Sequence, residues 1–283
     1  SSDLDGAPLA HAGAESNIAA RFPVKVGDAD RAFAGAAHVF REKIYQHRGG
    51  AFFIECRGVV AEFDKPRGAF TLHVASQGSH RIKRSLMEMF PLADHEVRVL
   101  TPDVGGGFGP KGSFYPEYID VAVAAEMLGR PVKWIEERAE NFMATGHSRD
   151  TRFEYTAGIH PDGRIEGLRI KVIADVGAPT ALLGWGQSFV TGYSLPGGYD
   201  IPDTNVQLYV VVTNKTPWNA YRGFGKDAQS FVMDRIMDHV ARETGQDRTA
   251  VRLANFIPAN DFPHSQPSGA MLDSGNYQGA LDQ

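Results

Sequence analysis

Val97-Arg98-Val99-Leu100-Thr101-Pro102-Asp103-Val104-Gly105-Gly106-Gly107-Phe108-Gly109-Pro110-Lys111-Gly112 is the stretch on which the reading of this chain turns. Residues 96–100 alternate like a short strand, and four glycines in the next block let main-chain N–H groups converge where side chains would obstruct them. A Walker phosphate loop needs Gly-Lys followed by Ser or Thr, and Pro110-Lys111-Gly112 lacks that hydroxyl. A dinucleotide fingerprint is a closer rival. Gly107, Gly109 and Gly112 satisfy G-x-G-x-x-G, and Glu136 or Glu137 stands where a ribose-binding acid is expected. Against it, Pro110 falls where a helix would offer N–H groups to a pyrophosphate, and the later half of the chain is hairpin-rich. A backbone cradle for an anionic or oxo-bearing group fits the composition. A glycine turn that merely connects strand to helix fits it as well.

Working outward, residues 1–20 are small and polar and predict a linker or extended arm. Asp28 predicts the cap of a helix to about Phe40, with strands near Ile44, over 52–63 and over 71–75. A helix is expected over 79–90. Ile119, Val123 and Met127 recur at helical spacing, stopped by Gly129 and Pro131, before a strand over 132–136. Pro161-Asp162-Gly163 predicts a turn joining strands 151–159 and 164–176. Leu168, Ile170, Val172, Ala174 and Val176 alternate strictly, as do Val206, Leu208, Val210 and Val212. Val232, Ile236 and Val240 define an amphipathic helix ending at Gly245, and Asp247 predicts the cap of a shorter one. After Gly275-Asn276-Tyr277 a helix is just starting when the chain stops, which predicts that it is part of a longer polypeptide or complex. The fold class expected is α+β, mixed sheets with packed helices, divided softly into 1–145 and 146–283.

With 283 residues, 42% hydrophobic and 22% charged, there is apolar material for a real core. A net charge of −5 without a lysine/arginine block argues against a nucleic-acid surface. No apolar run approaches the ~20 residues of a membrane helix, and residues 1–20 do not read as a secretory signal. A soluble, cytoplasmic setting is the expectation. Cys56, the lone cysteine, excludes an internal disulfide and an iron–sulfur cluster held by this chain alone, and reads as a small buried residue. The ten histidines show neither H-x-H nor H-E-x-x-H spacing, so no protein-held metal is expected.

The ordered series Glu55-Cys56-Arg57-Gly58-Val59-Val60-Ala61-Glu62, Ser76-Gln77, 97–111, Gly129-Arg130-Pro131-Val132-Lys133 and Ala220-Tyr221-Arg222-Gly223-Phe224-Gly225 resembles the molybdopterin-binding region of the xanthine dehydrogenase, aldehyde oxidase and carbon monoxide dehydrogenase family. The stretch 234–256 and Asp273-Ser274-Gly275-Asn276-Tyr277 extend the resemblance. It implies a molybdenum hydroxylase large subunit whose cofactor is molybdopterin, in the cytosine dinucleotide form, with molybdenum held by pterin sulfurs. Gly105, Gly106, Gly107, Phe108 and Gly109 would line that cofactor, and Ala220, Tyr221, Arg222 and Gly223 would form a second loop around it. Gln77, Phe108 and Arg222 are the implied catalytic group. Gln77 would bond near the metal's oxygen ligands, and Arg222 would serve substrate or developing negative charge. Read singly, Arg222 pairing with a structural carboxylate and Gln77 satisfying backbone groups stand level with those roles.

Two departures bear on substrate. Gly112 stands where xanthine-oxidising relatives carry a glutamate, and 220–225 has no cysteine where the carbon monoxide enzymes place one for copper. An aldehyde or N-heteroaromatic carbon remains, hydroxylated with water as the oxygen source. The implied partners are the remaining half of the large subunit, an iron–sulfur subunit and an FAD-bearing flavin subunit. In the family the general base is a glutamate beyond residue 283, and a further domain precedes this region. A non-catalytic scaffold or assembly module is the alternative of another class.

Overall fold

A computed structural model describes residues 6–178 and 184–283, so residues 1–5 of the expected arm lie outside the described part. The elements in order are β1 (Ile18–Val26), α1 (Ala29–Gly35), β2 (His38–Gly49), β3 (Gly58–Asp64), β4 (Ala69–Val74), α2 (Ser79–Met89), β5 (Val97–Leu100), α3 (Pro116–Leu128), β6 (Val132–Ile135), α4 (Arg138–Ala144), β7 (Ser148–Ile159), β8 (Ile165–Gly177), α5 (Trp185–Tyr193), β9 (Asp203–Val212), α6 (Lys226–Thr244), α7 (Arg248–Asn255), the short β10 (His264–Ser265) and β11 (Met271–Leu272), and α8 (Tyr277–Asp282). The class is α+β, as expected.

Two mixed sheets carry the structure. The larger runs β1-β9-β8-β7-β2, with β8 and β9 parallel and the other pairs antiparallel. The alternation in β8 puts Leu168, Ile170, Val172, Ala174 and Val176 on one buried face, and β9 adds Val206, Leu208, Val210 and Val212. Val232, Met233, Ile236, Met237 and Val240 of α6 pack into the same core. Burying each large aliphatic there contributes about 1.5–3 kcal/mol. On the opposite face α1 lies against Gly158 and Gly167, where a Cβ on Gly167 would come within 2.6 Å of Ala32 Cβ.

The smaller sheet runs β5-β4-β3-β6 and packs against α2 and α3 through Val59, Leu72, Ile82, Leu86, Tyr118 and Ala122. This topology disposes of the dinucleotide reading. β5 is an edge strand paired only with β4, and after α3 the chain returns as β6 on the far edge, antiparallel to β3. A dinucleotide fold would place that returning strand parallel, within the same nucleotide-binding βαβ half.

Local differences have local causes. Asp28 caps α1 through the N–H groups of Asp30 and Arg31, but the helix ends at Gly35 because His38 onward pairs with β7. The strand expected over 52–63 begins only at Gly58, because residues 50–57 leave the sheet to reach the glycine loop. On α3 the buried residues are Tyr118, Val121, Ala122 and Ala125, while Met127 is 80% exposed. The expected apolar stripe therefore sits one step off the packed face. The caps at Gly129, Gly245 and Asp247 form as expected, the two glycines with φ of +61° and +70°.

Candidate functional site

Between β5 and α3 the chain passes through the glycine loop. Gly107 is buried against Gln77, whose Oε1 would lie 2.5 Å from any Cβ placed there. Gly109 has a φ of +117°, and a Cβ on it would run into the Ala220 carbonyl. Gly109 thus requires glycine on space as well as on conformation, whereas at Gly107 the limit is the Gln77 side chain alone. Phe108, a residue 42% exposed, holds a φ of +51°, so a non-glycine residue is kept in the left-handed region at the centre of the loop. Such strain persists only where the surroundings over-determine it.

Those surroundings are specific. Gln77 Oε1 accepts the Gly109 N–H at 2.9 Å, and the Gln77 N–H donates to the Lys111 carbonyl at 3.0 Å. The same carbonyl accepts from Ser76 Oγ at 3.1 Å. The Lys111 side chain is completely buried, with its ammonium 2.7 Å from Glu55 Oε2 and 4.6 Å from the Phe53 ring centroid. That carboxylate oxygen also accepts the Gly105 N–H at 2.7 Å. Burial alone would raise the Glu55 pKa, but the hydrogen bonds from Lys111 and Gly105 outweigh it and hold the carboxyl below its ordinary value. Behind this clamp Arg57, fully buried, bonds Glu136 at 2.6 Å and Glu117 at 3.1 Å and stacks 3.8 Å from the Tyr115 ring. It fastens the starts of β3 and α3 to the end of β6.

The second loop, 220–225, closes on the first from α6. The Arg222 N–H donates to the Phe108 carbonyl at 2.9 Å. Asn219, fully buried, receives Ser113 Oγ at 2.8 Å and donates to the Pro110 carbonyl and the Tyr115 hydroxyl. Buried Gln187 of α5 donates to the Asn219 carbonyl at 2.6 Å and accepts the Tyr221 N–H at 3.3 Å. Arg149 lies 4.0 Å over the Tyr221 ring and pairs with Asp227 at 2.8 Å.

The fold thus brings Gln77, the glycine loop and 220–223, which are far apart in sequence, into hydrogen-bonded contact. Among the described residues, the N–H groups of Gly107, Phe108 and Gly223 have no acceptor. The Arg222 side chain is exposed and makes no ion pair or hydrogen bond there. Gln77, by contrast, spends its carbonyl oxygen on the loop backbone. Glu136 is not a ribose-binding acid; its side chain is fully buried by Arg57, Asn141 and Thr145. Cys56 is half-buried rather than buried. Sequence reasoning missed the Glu55–Lys111 clamp and the Asn219–Gln187 support. Both clamp residues stand in the quoted motifs, but nothing in their spacing announces a pair 56 positions apart. Among the described residues no group of three or more His, Cys, Asp or Glu gathers as for a metal ion, and no helix is long and apolar enough to cross a membrane.

The chain belongs to the molybdopterin cofactor-binding domain family, whose model matches residues 10–256. The resemblance carried by the ordered motifs is thereby shown, and mixed sheets with helices match the molybdopterin-binding regions of molybdenum hydroxylases. The carbon monoxide dehydrogenase large chain of Hydrogenophaga pseudoflava is 36% identical over 89% of this chain and 32% of its own length. The nicotine 6-hydroxylase large subunit of Paenarthrobacter nicotinovorans is 30% identical over 99% of this chain and 34% of its own. Among solved structures, quinoline 2-oxidoreductase from Pseudomonas putida 86 superposes with a TM-score of 0.93 at 30% identity, over 99% of this chain and 36% of that one. The chain spans about a third of the length of these relatives.

Proposed function

We propose that this chain forms one wall of a molybdopterin site in a molybdenum-dependent oxidoreductase that hydroxylates an N-heteroaromatic carbon or an aldehyde, with water as the oxygen source. One observation carries the reading: among the described residues the N–H groups of Gly107, Phe108 and Gly223 have no acceptor, on two loops that the Arg222 N–H joins at the Phe108 carbonyl. Free main-chain donors on a glycine-rich loop suit an anionic, oxo-bearing group. When bound, molybdopterin with its metal supplies the two-electron chemistry.

The chain's own residues bind and orient. Gln77 holds the Gly109 N–H through Oε1, which leaves its amide nitrogen as a donor for the group or the substrate. Arg222, exposed and without a carboxylate partner among the described residues, offers its guanidinium donors to negative charge on the substrate side. Phe108 is exposed, and its aromatic side chain suits packing on a planar substrate. At Gly112, where xanthine-oxidising relatives carry glutamate, nothing lies within 4 Å of the Cβ position, so the purine-binding acid is replaced by open space. Two of the compared relatives are named for nicotine and quinoline, and this supports an N-heteroaromatic ring ahead of an aldehyde.

The cytosine dinucleotide form, iron–sulfur and FAD-bearing partner subunits, and a cytoplasmic location belong to the same proposal. The test isolates the polypeptide carrying this chain with whatever accompanies it. Molybdenum, iron and flavin are then measured, and quinoline-type rings and aromatic aldehydes are assayed in isotopically labelled water. Bound molybdenum and label in the product are expected. A metal-free, partner-free protein, or oxygen drawn from dioxygen, refutes the proposal. The isolated 283-residue chain is expected to be inactive, and saturable NAD binding by it would restore the dinucleotide reading.

A further inference from the structure

The face of the larger sheet that turns away from the core carries a charge pattern the cofactor cradle does not use. Register aligns three rows across its five strands. Arg41, Thr156, Arg169, Asn205 and Lys25 form the first, and Lys43, Glu154, Lys171, Gln207 and Pro23 the second. The third is Tyr45, Arg152, Ile173, Tyr209 and Arg21. Of the chain's 29 basic and 34 acidic residues, seven and one stand in these rows. The remainder keeps 22 basic and 33 acidic side chains, so an array of net charge +6 sits on a body of −11.

The array is compact and ordered. Five strands at ~4.8 Å span roughly 19 Å, and alternate residues fall ~6.8 Å apart along each strand. Like charges this close repel, and cross-strand like pairs are destabilising. Relief from carboxylates is sparse: Glu154 lies 3.6 Å from Lys43 and 4.0 Å from Arg152, and Asp30 of α1 meets Arg169 at 2.6 Å. Arg21, Lys25, Arg41 and Lys171 have no carboxylate partner among the described residues. Tyr209 lies beneath Arg21 and Lys171, with centroids at 5.5 and 5.1 Å, and holds both stems against the sheet. A groove of about 530 Å³ runs between the side chains of β2 and β8.

We propose that this face docks an acidic surface of another protein subunit. Glu154 in the middle row and the amides of Asn205 and Gln207 suit a partner of mixed hydrogen-bonding groups better than a continuous phosphate backbone. With its exposed, charged side chains, the face also fits a separable, salt-sensitive interface rather than a buried junction within one polypeptide. The compared relatives are named as a large chain and a large subunit, so further subunits accompany such proteins.

The experiment uses the native assembly isolated through the polypeptide that carries this chain, as wild type and as the triple variant R41E/K43E/K171E. Native mass spectrometry is run from about 0.1 M to about 1 M salt, over which the screening length falls from ~10 to ~3 Å. Carbodiimide coupling of lysines to carboxylates is run in parallel. Expected are cross-links from Lys43 or Lys171 to acidic residues of a different subunit, and release of that subunit by salt. Its affinity should weaken at least about tenfold in the variant, roughly the scale at which loss of close charge pairs acts. An unchanged melting temperature certifies the variant's fold, and K43Q/K171Q provides a milder second reading. Unaltered stoichiometry and salt response in both variants overturn the proposal. So do cross-links confined to the same polypeptide, or a nuclease-sensitive nucleic acid in place of the subunit. Molybdenum content is measured in the same samples, so failure of the cradle reading and failure of this one are told apart.

Discussion

Replacing Glu55 by alanine removes the carboxylate that serves both the buried Lys111 ammonium and the Gly105 N–H. Breaking a fully buried pair by deleting one partner costs about 3–5 kcal/mol, because the surviving charge is left uncompensated. Here Lys111 is fully buried but the Glu55 side chain is 41% exposed, so water can enter and replace part of what is lost. The Gly105 N–H, already near the surface, finds water at small cost. The net loss expected is about 2–3 kcal/mol, seen as a drop in melting temperature of roughly 4–10 °C for a chain of this size. Urea unfolding of wild type, Glu55→Ala, Lys111→Met and the double variant measures it. The double variant should be less destabilised than Glu55→Ala alone, since methionine removes the stranded charge while keeping the packed stem. The acid dependence has a fixed sign. Because the folded pKa of Glu55 is lowered from 4.5, its contribution is present above that value and is lost as pH falls through the folded pKa. The gap between wild type and Glu55→Gln should therefore be flat at neutral pH and narrow in acid. A loss under about 0.5 kcal/mol, strict additivity in the double variant, or a gap that widens in acid would refute the clamp.

Gly109→Ala should cost about 3 kcal/mol or more and expel bound molybdenum, since the new Cβ meets the Ala220 carbonyl at a φ of +117°; denaturation and metal analysis check this. Arg57→Ala leaves Glu136 unpaired in the interior, and a loss of about 3–5 kcal/mol is expected by urea unfolding; Arg57→Lys should recover little, as lysine cannot fork between Glu117 and Glu136. Asp247→Ala should cost only ~1 kcal/mol, with faster amide exchange confined to the first turn of α7, because its carboxylate caps Thr249 and Ala250. Met127→Gln should change stability by less than about 0.5 kcal/mol, in contrast to Ala122→Gln, if the packed face of α3 is the one described.

Much of the local structure was legible in the chain itself, because its signals are short-range. Alternation in 168–176 and 206–212 records that one side of each strand is wet, and it gave both buried faces correctly. The stops at Gly129 and Gly245 and the caps at Asp28 and Asp247 need only the backbone of the next few residues. The motifs also sufficed for the family, since their order along the chain is itself a linear property.

Tertiary structure decided what depends on partners distant in sequence. Periodicity said that residues 206–212 form a strand, but not that β9 would lie parallel to β8 with β1 beyond it. On α3 the apolar residues ring more than one face, so the packing of the smaller sheet, not the spacing of Ile119, Val123 and Met127, chose the buried one. Glu136 occupied a position suited to binding a ribose until Arg57 was found against it. The cradle is the clearest case. The glycine loop was ambiguous as a sequence, and its shape comes from Gln77, Glu55 and Ala220, each brought to it from another part of the chain. Hydrogen bonds and ion pairs are formed by proximity in space, which no spacing along one strand of sequence records.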